Sequence, residues 1–174
     1  MQLQDSVIII TGGGQGLGRA MGEFLAAKGA RLALVDLNQE ALDAAVAACK
    51  QAGGDARSYI CNVANEEQVS HMVNQVADDF GAIHGLINNA GGQYPSPVAS
   101  INQKGFETVV RTNLVGGFLM AREVYNQHMA KHGGAMVNML ADMWKGMPGM
   151  GHSGAARAGP PAHRPPGCRP PPCS

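Results

Sequence analysis

The sequence predicts an α/β fold, a parallel sheet with helices on both faces, and three observations carry that reading. Strand-length apolar runs alternate with helix-patterned stretches from Val7 to about Met139. The first run, Val7-Ile8-Ile9-Ile10, passes directly into a glycine cluster, Thr11-Gly12-Gly13-Gly14-Gln15-Gly16-Leu17-Gly18, and then into a helix pattern. Several later runs end on polar or glycine residues at the side where the first one ends. Near-continuous apolar runs suit strands buried on both faces, and helical crossovers between them make the sheet parallel.

Taken in order, strands are expected near residues 7–11, 31–36, 56–61, 85–88 and 135–139, and helices near 16–28, 39–52, 66–80 and 106–132. The β-branched run Val7–Ile10 makes the first strand, and the glycine cluster turns the chain into the first helix. Gly29 closes that helix. The second strand reads Arg31-Leu32-Ala33-Leu34-Val35-Asp36. The long helix near 106–132 carries Phe106, Val109, Val110, Leu114, Phe118 and Met120 on its apolar side.

A strand, a glycine turn and a helix start aim backbone N–H groups at one spot, which is an anion site. Gly12 permits the tight turn, Gly16 lets the backbone approach a pyrophosphate, and Gly18 allows close packing. That unit makes the sheet Rossmann-type. Asp36 ends the second strand, where a carboxylate accepts both ribose hydroxyls of an adenosine and repels a 2′-phosphate. NAD is therefore expected, with NADP possible because Arg19 and Arg31 lie near in sequence. The competing reading makes Asp36 the cap of the next helix. Thr11, Asp36, Asn62-Val63 and Asn88-Asn89-Ala90-Gly91 all fall at carboxyl ends of strands, where such sheets bind ligands.

Composition excludes several classes. Thirteen basic and thirteen acidic residues give zero formal charge, so there is no electrostatic case for nucleic acid or a membrane surface. No apolar run approaches the roughly 18 residues of a membrane span, and no signal peptide opens the chain. With four cysteines and no disulfide framework, a cytoplasmic protein is expected. Cys168, Cys173 and His163 fit no common zinc spacing. His128 and His132 share a helix face near its end, where the helix dipole explains them better than a metal does. No metal is expected.

Together, the Thr11–Gly18 turn, Asp36, Asn62-Val63, Asn88–Gly91 and Asn113 resemble the short-chain dehydrogenase/reductase family, over residues 3 to 159. The first half looks like 3-oxoacyl-acyl-carrier-protein reductases. The stretch from Gly92 to Gly159, notably His152-Ser153-Gly154-Ala155-Ala156-Arg157, looks more like enoyl- or dienoyl-CoA reductases. The resemblance implies hydride transfer between a nicotinamide and a carbonyl or conjugated alkene, in a homo-oligomer. It implies cofactor contacts from Thr11, Gly12, Gln15, Gly16, Leu17, Gly18, Asp36, Asn62, Val63, Asn89, Ala90 and Gly91.

The same resemblance implies a catalytic Tyr, a Lys four residues on, a Ser and a helical Asn. Asn113 matches the Asn, which supports a water-linked proton relay; otherwise it is an ordinary polar helix residue. The others depart. Ser153 stands at the Tyr position and Arg157 at the Lys position, and the Ser falls near Leu140 or Ala141. Ser153 is a poor general acid, and Arg157 keeps its charge but cannot relay a proton. Ene-thioester reduction fits these changes better than alcohol dehydrogenation. His152 suits proton transfer by its ordinary pKa, or is a solvent-exposed loop residue; Asp142 and Lys145 are weaker candidates.

From Gly159 to Ser174 the chain holds seven of its ten prolines. This segment, residues 160–174, is expected to be a disordered proline-rich tail, either a docking segment for an SH3-type module or an out-of-frame reading of a GC-rich gene. Residues 1–159 then form one dinucleotide-binding domain, incomplete at its C-terminal side, with an unpaired edge at the fifth strand and a bare apolar patch on the long helix. The expected function is an NAD(P)-dependent reductase of a 3-oxoacyl or enoyl thioester, or of a related carbonyl substrate. The alternative is a catalytically silent nucleotide-binding fragment of such an enzyme.

Overall fold

The computed structural model describes residues 3–141 and 146–158. Five strands, β1 (Val7–Thr11), β2 (Arg31–Asp36), β3 (Asp55–Ile60), β4 (Gly85–Asn88) and β5 (Ala135–Asn138), form one sheet in the order β3-β2-β1-β4-β5. Every pairing is parallel. The order reverses direction at β1, so a crevice opens between the carboxyl ends of β1 and β4.

Alternation along the strands decides which helices cover which face. Ile8, Ile10, Leu32 and Leu34 point to one side, into a core with Leu42, Ala45 and Cys49. That side is covered by α1 (Gly16–Ala26) and α2 (Gln39–Gln51). Val7, Ile9, Ala33 and Val35 point to the other, into a core with Val69, Val73, Val76, Leu119 and Met120. There α3 (Glu66–Phe80) and the long helical run of residues 103–132 close the fold. Each buried side chain of this size contributes roughly 2 kcal/mol.

The long run starts at Gln103, three positions before its expected start, because the Asn102 side chain accepts from Gly105 N–H at 2.8 Å and caps it. It comprises α4 (Gln103–Val110), α5 (Gly116–Val124) and α6 (Ala130–His132), joined by π-helical turns at Arg111–Val115 and Tyr125–Met129. A last short helix, α7 (Gly151–Arg157), follows β5.

The expected apolar patch is narrower than the sequence suggests. Phe106 and Phe118 are exposed, but Val109 and Met120 are buried in the fold. Among the described residues β5 pairs only with β4, and Val137 on it is exposed. Arg31 sits at the amino end of β2, away from Asp36. It bonds Asp55 at 3.3 Å and lies over the Phe80 ring, which Arg57 also covers. The rings of His128 and His132 stack at 4.6 Å. Burial, then the neighbouring His132 and His84, push the His128 pKa down, so the expected dipole support is outweighed. Among the described residues no cluster of three or more His, Cys, Asp or Glu is placed to hold a metal, and no helix is long and apolar enough to cross a membrane. The residues expected to form a tail lie outside the described residues.

Candidate active site

A cleft of about 420 Å³ opens at the carboxyl ends of β1–β4. Gly12, Gln15, Leu17, Asp36, Asn62, Val63, Asn89, Ala90, Gly91 and Arg157 line it, together with Cys61 and Thr112. Residues up to 145 positions apart thus meet at one crevice, as the strand-end pattern predicts.

The glycine turn is built as its spacing implies. Gly12 and Gly16 take left-handed backbone angles, φ +65° and +55°. A side chain at Gly12 would press on Asn89 and Ala90, and one at Gly18 would collide with the Gly12 carbonyl oxygen. At Gly16 the same construction meets nothing within 4 Å, so the backbone there borders open space. Gln15 makes no side-chain cap on α1, which leaves its first N–H groups free for an anion.

Asp36 faces this turn. Its Oδ2 accepts from Gly14 N–H at 3.1 Å, and its Oδ1 accepts from Leu37 and Asn38 N–H at 2.7 and 3.3 Å. The helix-cap reading of Asp36 does not hold, since Asn38 caps α2 by accepting from Ala41 N–H. Arg19 is paired with Glu23 at 2.7 Å, so neither it nor Arg31 is a free cation beside Asp36. At the end of β3, Asn62 accepts from Ala64 N–H at 3.0 Å, and Val63 packs against Gly116 on α5.

Thr11 and Asn89 occupy a different place from the other turn residues. The Thr11 hydroxyl accepts from Asn89 and Ala90 N–H, both at 3.0 Å, and the Asn89 amide donates to the Thr11 and Gly12 carbonyls. Thr11 is 1% exposed. These side chains lash β1 to β4 at the floor of the crevice; the Thr11 hydroxyl and the Asn89 amide N–H groups are committed to backbone.

Of the four expected catalytic residues, Arg157 and Asn113 meet beside Gly91, and Ser153 and His152 are buried in α7. Arg157 reaches the cleft: its Nη1 donates to the Met139 carbonyl at 2.8 Å and its Nη2 lies beside Gly91. No carboxylate pairs with it among the described residues, so its charge faces the site uncompensated. Asn113 sits in the π turn, accepting from Gly92 N–H at 2.8 Å and donating to Gly92 C=O at 3.0 Å. These two bonds hold that loop and leave one Nδ2–H and one Oδ1 lone pair of the amide. Ser153, one turn before Arg157, is fully buried and donates to Gln93 Oε1 at 2.8 Å. His152 is not a solvent-exposed loop residue: it lies in α7, fully buried, with its ring edge-on to Tyr94 at 4.5 Å.

Gln93 and Tyr94 were not singled out by sequence. Both follow the Asn88–Gly91 motif after a single intervening residue, Gly92, and that proximity was the available signal. Because Ser153 holds the Gln93 oxygen, the Gln93 amide N–H groups are free to donate elsewhere. Leu140 is exposed and apolar, and Ala141 has no polar group, so neither replaces the missing Ser. Asp142 and Lys145 lie outside the described residues, as do His163, Cys168 and Cys173.

Cys61 lines the cleft as a buried thiol held in its protonated form at neutral pH. Burial pushes its thiol up to about 11, and burial followed by the Glu23 charge does the same to Cys49. Unfolded thiols lose their protons near pH 9, whereas the folded chain holds them to about 11. Stability therefore falls as pH rises through that window. Urea midpoints should drop between about pH 9 and 11, and a Cys49→Ala/Cys61→Ala variant should flatten the slope.

The open border at Gly16, the free α1 start and the Asp36 carboxylate fit a dinucleotide along the cleft. Residues 6–159 match the family described as short chain dehydrogenase. The chain is similar to the citronellol catabolism dehydrogenase of Pseudomonas aeruginosa PAO1, at 55% identity and TM-score 0.86 over 90% of this chain and 65% of that one. An NAD⁺-bound xylitol dehydrogenase structure superposes with TM-score 0.86 at 35% identity, over 91% of this chain and 62% of the other. Levodione reductase of Leifsonia aquatica is 40% identical over 158 residues, 88% of this chain and 58% of that protein. The chain spans between about half and two-thirds of the length of such relatives. With the matched segment covering both the glycine turn and the Arg157 helix, this chain belongs to the short-chain dehydrogenase family, a family of oxidoreductases.

Proposed function

We propose that the protein is an NAD(P)-dependent reductase of a small carbonyl or conjugated-alkene substrate, with NAD preferred and an enoyl or 3-oxoacyl thioester reduced. The observation that carries the reading is one cleft lined by Gly12, Gln15 and Leu17 of the glycine turn together with Asp36, with open space beside Gly16. Gly12, Gly16 and the start of α1 would hold the diphosphate, Asp36 the adenosine ribose, and Asn62-Val63 the base. The bound nicotinamide supplies the hydride. The chain's task is then to orient the substrate and to steady negative charge on its oxygen. Gln93, locked by Ser153, offers amide N–H donors, and Arg157 offers a fixed positive charge nearby. No phenol stands at position 153, which favours an alkene over an alcohol as the reacting group. A cytoplasmic location and assembly with further copies accompany this proposal through the family resemblance.

A second reading is nucleotide binding without turnover, favoured by Ser153 and Arg157 in place of an acid and its partner. One experiment separates the two. Purified chain is mixed with NADH or NADPH and a crotonyl or 3-oxobutyryl thioester, and both coenzyme fluorescence and absorbance are followed. Fluorescence enhancement with thioester-dependent oxidation supports the first reading. Enhancement alone leaves the second. No enhancement with either coenzyme removes both.

A further inference from the structure

The loop that leaves β4 runs antiparallel along α7 and the turn before it. Gly91 and Arg157 meet where both line the cleft. Beyond them the Ser153 hydroxyl donates to Gln93 Oε1 at 2.8 Å, and the Tyr94 and His152 rings meet edge-on at 4.5 Å. Further on, Ser96 N–H donates to Gly149 C=O at 2.7 Å. The loop thus ascends from residue 91 to 96 while its partner descends from 157 to 149. Of these residues, only Gly91 and Arg157 line the cleft.

His152 is fully buried, and neither of its ring nitrogens has a hydrogen-bond partner among the described residues. What it gives the fold is a flat ring against which Tyr94 packs. The far end of Tyr94 lies over Gly105 in the first turn of α4, where any Cβ would collide with the Tyr94 oxygen. Tyr94 is therefore wedged between α4 and α7. Pro95 and Pro97 flank Ser96 and fix their own φ angles, which leaves the loop few other shapes. We propose that His152 is a positioning residue, which with Tyr94 presets the loop carrying Gln93 before coenzyme or substrate binds. The imidazole acts by shape, and no proton passes through it. Its effect on substrate rests on the proposed function, in which Gln93 donates to the substrate oxygen.

Amide hydrogen exchange and turnover of the full chain test this together. Ser96 carries the only backbone N–H between Tyr94 and Val98, and it should exchange about 100-fold more slowly than an unstructured amide. His152→Ala should remove most of that protection and lower kcat/KM for a crotonyl thioester about 10-fold. The Kd for NADH should stay within about twofold of wild type, because His152 does not line the cleft. His152→Phe keeps a ring and loses only unpartnered nitrogens, so it should restore both the protection and the turnover. Should His152→Ala not fold, wild type and His152→Phe decide. An unprotected Ser96 amide in wild type, or unchanged protection or turnover in folded His152→Ala, overturns the proposal. So does a His152→Phe chain that binds NADH and protects Ser96 but has lost turnover, which would make the imidazole a proton donor. A wild type without thioester turnover defeats the proposed reduction instead, and Ser96 exchange in the three chains then decides whether His152 sets the loop.

Discussion

Gly16→Val is expected to weaken NADH binding by roughly 10–100-fold while leaving the thermal midpoint within a few degrees of wild type. The position has φ +55°, a backbone conformation that costs an L-residue about 1–2 kcal/mol and a β-branched one more. Nothing in the protein surrounds the point where a Cβ would stand, so the fold itself has room for it. What the new side chain meets is the ligand that approaches there. Gly18→Val is the contrasting variant. Its Cβ would strike the Gly12 carbonyl oxygen, so the turn must move and both stability and binding should fall. Fluorescence titration with NADH, beside thermal unfolding followed by circular dichroism, separates the pair. Undiminished NADH binding in Gly16→Val would remove the diphosphate from this turn.

Asp36→Ala should invert or erase a preference for NADH over NADPH. Two charge-assisted hydrogen bonds to ribose hydroxyls would be lost, each about 1.5–3 kcal/mol, and the repulsion of a 2′-phosphate would be relieved. The carboxylate has a second task, since it also accepts from Gly14 N–H at 3.1 Å and so ties β2 to the glycine turn. Asp36→Asn separates these tasks. It keeps one acceptor oxygen, for Gly14 N–H or for Leu37 and Asn38 N–H but not both, and carries no charge, so NADPH should gain at a smaller cost to the turn than in Asp36→Ala. Kd values for both coenzymes against wild type, Asp36→Asn and Asp36→Ala provide the check. An unchanged ratio across all three would place the adenosine ribose elsewhere.

Legibility in the sequence tracked the range of the forces involved. The β1–turn–α1–β2 unit could be read directly, because a β-branched run, left-handed glycines and a helix start act over neighbouring residues. The strand ends that meet at the cleft could be inferred, since parallel crossovers bring carboxyl ends to one side. Partnerships were not legible. Thr11 looked like a ligand contact, yet its hydroxyl serves N–H groups 78 and 79 positions away. His152 looked like a loop proton donor or a solvated side chain, and α7 buries it against Tyr94. Gln93 carried no mark of its own until Ser153, 60 positions on, held its oxygen.

By itself, then, the chain's order of residues determined the alternation of strands and helices, the glycine bend and the acidic end of the second strand. Those depend on local backbone preference and on period, which any stretch of chain carries within itself. Only the folded molecule decided which polar groups are spent on bracing and which face the cleft. It also set the two π turns that carry Asn113 and His128 and brought Asn113 and Arg157 together beside Gly91. The reason is that a hydrogen bond has a finite number of donors and acceptors, and which of them remain free is settled by distant neighbours brought within about 3 Å.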